Sequence, residues 1–216
     1  MQNQYAIQRM TSTEQLVMGT VQELPLAPPE VLGNDLLNRS FNRATFLLAD
    51  SAILKDLPAR YYIIRNEFEI KTPQSIRILK GDKVKSFVWE DSLTKQIQVF
   101  VNMKYYVGEG GIQGSGFMQI LSEGKLSLLK HTEVIFKEAN YHLALNVGTR
   151  DHQFISKTHL YYLSGNTFYR LPRRKNVLLI FPDRHEELRR FVQLNQLNLG
   201  NEYHLQALFD YYNNLK

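Results

Sequence analysis

The chain has 216 residues, 44% hydrophobic and 22% charged, ordinary values for a chain that can bury a core without a metal or disulfide staple. It has no cysteine, which excludes thiol catalysis, disulfides and cysteine-ligated metal centres, and no apolar run near the ~18 residues of a membrane span. Its 26 Lys and Arg against 21 Asp and Glu leave +5, spread thinly along the last two thirds of the chain. Nucleic-acid affinity needs a denser surplus that displaces many counterions at once, so no nucleic-acid partner is expected.

Residues 1–44 read as an irregular segment. Pro25, Pro28 and Pro29 interrupt any element there, a short strand is expected around residues 16–21, and residues 34–43 read as turn and loop. Residues 45–172 read as an antiparallel β body. Its clearest strand is 60–71, with Tyr62, Ile64, Phe68 and Ile70 on one face and Tyr61, Ile63, Arg65, Glu67 and Glu69 on the other. Further runs rich in aromatic and β-branched residues follow at 75–79, 85–89, 96–107, 116–121, 126–130, 133–137, 154–163 and 167–171. The turns between them are too short for parallel crossovers, so the runs are antiparallel neighbours.

Residues 173–216 change period. Asp183 and Glu186 form a capping-box pattern ahead of Leu188, Phe191 and Val192. After a break at 198–201, Leu205, Leu208, Phe209 and Tyr212 form a second apolar stripe. Helices this short are marginal alone, so both stripes are expected to be buried as a structural cap in the same domain. The fold class is therefore α+β and mainly β. It is an antiparallel meander, as a curved sheet or partly open barrel, with a C-terminal helical hairpin packed on it.

Chemistry-bearing patterns are sparse. The glycine-rich segment 108–116 fits no phosphate-loop register and leads into a strand, so it reads as a hairpin loop. Ser115 lacks the frame of a nucleophile elbow. The six histidines, His131, His142, His152, His159, His185 and His204, show no metal-ligand spacing. Glu67 and Glu69 read as a solvated strand face, and Asp82, Glu90 and Asp91 as turn residues. Arg170, Arg173, Arg174 and Lys175 are the densest basic point and read as a solvated loop. No catalytic residue, metal or cofactor is assigned. Tyrosine is the remaining candidate: Tyr61, Tyr105, Tyr161 and Tyr169 are proposed as ligand-binding residues in a groove for carbohydrate or peptide, against the plainer reading of rings filling the sheet–helix boundary.

Four phrases, read in order, carry a family resemblance. They are Leu57-Pro-Ala-Arg-Tyr-Tyr-Ile-Ile-Arg-Asn-Glu-Phe-Glu-Ile, Gly116-Phe-Met-Gln-Ile-Leu-Ser-Glu-Gly-Lys-Leu-Ser-Leu-Leu-Lys, the stretch from Tyr161-Tyr-Leu through Phe168-Tyr-Arg-Leu-Pro to Ile-Phe-Pro-Asp183, and Glu187-Leu-Arg-Arg-Phe-Val with Leu208-Phe-Asp-Tyr-Tyr-Asn-Asn-Leu. Across 57–216 the chain resembles β-rich, uncharacterised secreted proteins of Bacteroidota. The resemblance implies a periplasmic or extracellular setting after signal-peptide removal, with a cytoplasmic location as the alternative, and it carries no activity. The function expected is that of a non-enzymatic binding or structural protein of the cell envelope, whose partner is a protein, an apolar ligand or a carbohydrate. Two alternatives stand beside it: a carrier holding a lipid or other apolar ligand on a concave sheet face, and a hydrolase whose site is assembled from distant residues.

Overall fold

The computed structural model describes residues 29–111 and 113–215. The short strand expected around residues 16–21 lies outside them. The chain divides into two units, one holding described residues 29–31 and 139–152, the other 32–138 and 153–215. In the first, Asn140 Oδ1 accepts from the amide and the hydroxyl of Thr149, each at 2.9 Å, and closes a loop.

Among the described residues, twelve strands form one mixed sheet. They are β1 (Val31–Leu32), β2 (Asn42–Leu48), β3 (Ile53–Tyr62), β4 (Glu67–Lys71), β5 (Ile76–Lys80), β6 (Val84–Glu90), β7 (Ile97–Asn102), β8 (Val107–Gly108), β9 (Phe117–Ser122), β10 (Ser127–Lys137), β11 (His152–Ser164) and β12 (Thr167–Arg170). From β2 onward the order is β5-β4-β3-β2-β6-β7-β9-β10-β11-β12-β8. Neighbours along this path are antiparallel except β12 and β8, which are parallel. Two helices close the chain, α1 (His185–Leu194) and α2 (Glu202–Asn214). The expected class, a mainly β α+β fold with C-terminal helices on a curved antiparallel sheet, is the observed one.

The curvature is read from aromatic contacts. The order places β4 and β9 five strands apart, which in a flat sheet is about 24 Å. Yet the rings of Phe68 and Phe117 have centroids 5.4 Å apart, and Phe117 also meets Tyr61 of β3 at 5.3 Å. The sheet from β3 to β9 therefore rolls around a first core of Phe46, Tyr61, Phe68, Phe87, Trp89, Phe100 and Phe117. A second core lies between β9–β12 and the helices, around Leu128, Phe181, Leu188, Leu208 and Phe209. The opposite face of those strands carries Met118, Leu129 and Phe168, covered by Met103 as the chain crosses from β7 to β8.

Several local expectations are corrected. The strand expected over 60–71 is a hairpin: β3 ends at Tyr62 and β4 begins at Glu67, with Asn66 in the left-handed region at φ 50°. The turn carries no Gly or Pro signal, and it resets the alternation. Tyr61 pairs with Phe68 and shares the core face with it, while Tyr62 pairs with Glu67 on the other. The run 96–107 stops at Asn102, whose side chain accepts from Lys104 N at 3.1 Å and turns the chain into a 3-10 segment. The runs 126–130 and 133–137 are one strand, β10. Asp183 caps no helix. Arg184, at φ 62°, occupies the N-cap of α1 with no side-chain capping bond, and Asp183 accepts instead from the Tyr212 hydroxyl at 2.9 Å. At α2 the cap is Asn201, whose Oδ1 accepts from Tyr203 N at 2.9 Å and His204 N at 3.3 Å.

Candidate functional site

Along β9 one sheet face reads Phe117, Gln119, Leu121. Phe117 belongs to the first core and Leu121 packs on the second, so Gln119 marks the seam between them. The register continues that seam across the sheet. Gln119 lies opposite Phe100 of β7 and Lys130 of β10, Gln98 opposite Trp89 of β6, and Thr132 opposite Thr158 of β11. Residues two apart on a strand share a face, so Gln98, Gln119, Lys130, Thr132 and Thr158 form a polar row between two apolar cores.

This row floors a groove of about 400 Å³, walled by Trp89 and Phe100, by Leu37, Asn38 and Asp91 at the rim, and by Glu202 of α2. That volume is in the range of small-ligand sites. A cavity of about 40 Å³ opens beside it, sharing Leu37, Phe100, Gln119, Lys130 and Thr132 and reaching Tyr61, Gly116 and His131.

Most of the charges here are spent inside the protein. Lys130 Nζ donates to Glu202 Oε1 at 2.7 Å. Asp91 Oδ1 accepts from Leu93 N at 3.0 Å and Thr94 N at 2.7 Å, and Oδ2 accepts from Asn38 Nδ2 at 2.9 Å. These bonds, led by that from Thr94 N, hold its carboxyl below the usual carboxylate range. Asp91 is therefore a turn-building carboxylate, as its position suggested.

The neutral groups are the opposite. Trp89 Nε1 donates to Gln98 Oε1 at 2.8 Å, which fixes the amide, and its NH₂ donors have no partner among the described residues. The side chains of Gln119, Thr132 and Thr158 make no hydrogen bond among the described residues. Next along the chain from Asp91, Ser92 N donates to Asn42 Oδ1 at 2.9 Å, while among the described residues Asn42 Nδ2 and Ser92 Oγ are buried without partners. Buried polar atoms are nearly always paired, so two orphans on neighbouring residues of β2 and the β6–β7 turn are unusual.

The four tyrosines fall in different places. Tyr61, 2% exposed, is part of the first core, and its hydroxyl donates to Asn66 Oδ1 at 2.8 Å. It lines the 40 Å³ cavity. Burial pushes its phenol well above the ordinary range. Tyr105 ends a 3-10 segment, with the Lys104 ammonium 5.1 Å from its ring centroid. Tyr161 packs edge-on to Phe168 at 5.6 Å, whereas Tyr169 stacks on Tyr162 at 5.1 Å. Tyr161 and Tyr169 project from opposite faces of the sheet, since Tyr161 pairs with Arg170 and Tyr162 with Tyr169. One groove does not collect both. The groove residues were missed in the sequence because glutamine and threonine within a strand look like solvent-facing positions. Their signal was a polar residue at an inward step, as in Phe117-Met-Gln119-Ile-Leu121.

His131 lies across from His159 on the face opposite the groove row. Burial pulls its pKa below the usual histidine value. His159 receives the Arg170 guanidinium at 3.1 Å and lies 3.5 Å from Glu133. Among the described residues, no three His, Asp or Glu side chains are grouped to hold a metal ion, and no helix is long and apolar enough to cross a membrane.

Comparison with protein families, with characterised proteins and with solved structures finds no match for the chain.

Proposed function

We propose that this chain is a binding protein without catalytic chemistry of its own, and that its groove takes a small, uncharged ligand rich in hydroxyl or amide groups, of which a saccharide is the nearest common class. The observation that carries the reading is the row of unspent neutral donors and acceptors at Gln98, Gln119, Thr132 and Thr158. Planar amides and hydroxyls set beside aromatic walls suit a ligand with both polar edges and apolar faces. Lys130 and Glu202 pair with each other and the Asp91 carboxylate is hydrogen-bonded by neutral donors, which favours an uncharged ligand over an ionic one.

An apolar cargo fits less well. The rolled face between β3 and β9 is filled by stacked and edge-on rings, such as Phe87 against Phe100 at 4.5 Å. Within the groove, the carboxylates are held by Lys130, Asn38 and backbone amides, so no acid–base pair stands ready for hydrolysis. The cell-envelope or extracellular setting rests on the resemblance of residues 57–216, and fractionation of the source cells tests it.

A thermal-shift screen against mono- and disaccharides tests the ligand class. The reading expects at least one to raise the melting temperature of the wild-type chain and to leave Gln119→Leu unmoved. A panel in which every sugar shifts both proteins equally, or none shifts either, refutes it.

A further inference from the structure

The densest basic stretch, Arg170 to Lys175, has its four cations exposed, as its composition suggested, and two of them also line a cleft. Arg174 and Lys175 form one side of a second cleft, of about 390 Å³, whose other side is Val192, Leu197 and Leu199, with Asn198 at its end. Asn198 Oδ1 accepts from Arg174 Nη1 at 3.2 Å and from Gly200 N at 3.0 Å, and Asn198 N donates to His204 Nδ1 at 2.8 Å. The turn at the head of α2 therefore fixes the Arg174 guanidinium, whose other N–H groups have no partner among the described residues.

Among the described residues no carboxylate pairs with these cations. The acidic residues of this part of the chain are engaged elsewhere: Asp183 with Tyr212, Glu186 with Arg189, Glu187 with Arg184, Glu202 with Lys130 and Asp210 with Ser122. Arg173, Arg174 and Lys175 make no ion pair among the described residues. The opposite wall is apolar, and Leu194, at the end of the same helix as Val192, is 77% exposed. A cleft with one cationic and one hydrocarbon wall matches a ligand carrying both features.

We infer that this cleft binds the head of an anionic amphiphile, with a phosphate or carboxylate on Arg174 and Lys175 and the first part of a hydrocarbon chain on Val192 and Leu197. The site is separate from the groove and does not depend on the reading given to it.

Calorimetric titration with octyl phosphate, inorganic phosphate and octanol tests the inference on the full chain. Octyl phosphate is expected to bind at least about tenfold more tightly than either fragment, and to lose about tenfold or more in the double variant Arg174→Gln, Lys175→Gln. Both side chains are exposed, so the melting temperature of that variant should match wild type. Arg173→Gln, next to the cleft but not lining it, should keep most of the affinity. Sedimentation with vesicles of zwitterionic lipid, with and without an anionic lipid, separates the sources. Co-sedimentation with the anionic vesicles alone assigns a membrane headgroup, and octyl phosphate binding without co-sedimentation assigns a free amphiphile. Absence of octyl phosphate binding, or equal losses in the Arg173 variant and the double variant, overturns the inference.

Discussion

Lys130 Nζ, from the middle of β10, lies 2.7 Å from Oε1 of Glu202 in the first turn of α2, and both side chains are largely withdrawn from water at 23% and 34% exposure. The pair ties the sheet to the helix at the groove wall, where the two cores meet. A carboxylate in the first turn is also favoured by the helix dipole. Glu202→Gln should therefore lower stability by about 1 kcal/mol, with a similar coupling energy in a double-mutant cycle with Lys130→Met. Strictly additive losses in that cycle would show that the contact contributes nothing.

Gly81 is expected to tolerate no side chain. A Cβ there would lie 1.9 Å from Asn66 Oδ1 and 2.8 Å from the Asn66 carbonyl oxygen. That carbonyl is held by Gly81 N at 2.8 Å, and Asn66 Oδ1 by the Tyr61 hydroxyl, so neither has room to withdraw. Gly81→Ala should cost about 1–3 kcal/mol, the range for overpacking, and more than Tyr61→Phe, which removes one hydrogen bond worth about 1 kcal/mol. Denaturant midpoints in the reverse order would contradict this account of the turn.

The C-terminal helices are predicted to be indispensable. Leu205, Leu208, Phe209 and Tyr212 are all buried, and Asn213 pins α2 to the β9–β10 turn by accepting from Leu126 N at 3.2 Å and donating to Leu126 O at 2.9 Å. Removing residues 201–216, or Leu208→Asp, should unfold or aggregate the chain, because each exposes or charges the second core. A truncated chain that remains monomeric with an unchanged melting temperature would make the helices an appendage.

His131 predicts a pH dependence. Its folded pKa is lowered, chiefly by burial, from an ordinary value near 6.5. The unfolded chain therefore takes up this proton first as the pH falls. Stability from this group is full above about pH 6.5 and is lost as the pH falls from there through the folded pKa. Glu133, which opposes the shift, and His159, which adds to it, face the same ring. Replacing His131 with Gln should flatten the fall in melting temperature below pH 6.5, and identical pH profiles for the two proteins would exclude the histidine as its source.

The sequence was most legible where side-chain period decides structure. The strands at 75–79, 85–89 and 116–121 and the α2 stripe at Leu205, Leu208, Phe209 and Tyr212 lie within a residue or two of their observed places. It was least legible where one residue's backbone decides. Asn66 at φ 50° splits a long alternating run into a hairpin and reverses which of Tyr61 and Tyr62 faces the core. Arg184 at φ 62° starts α1 one residue after the capping pattern centred on Asp183. The groove was hidden for a different reason. Gln98, Gln119 and Thr158 come from three strands, and their alignment depends on register and on rolling of the sheet, neither of which is a property of any one run of residues.

The most direct test of the groove follows the side-chain amide resonances of Gln98 and Gln119 by NMR during titration with the saccharide panel. Both amides should shift together and saturably for at least one sugar, with Gln98→Ala weakening that sugar and leaving the fold intact. If no sugar moves either amide, or if the resonances that move belong to the outer face of the sheet, the groove is not the binding site.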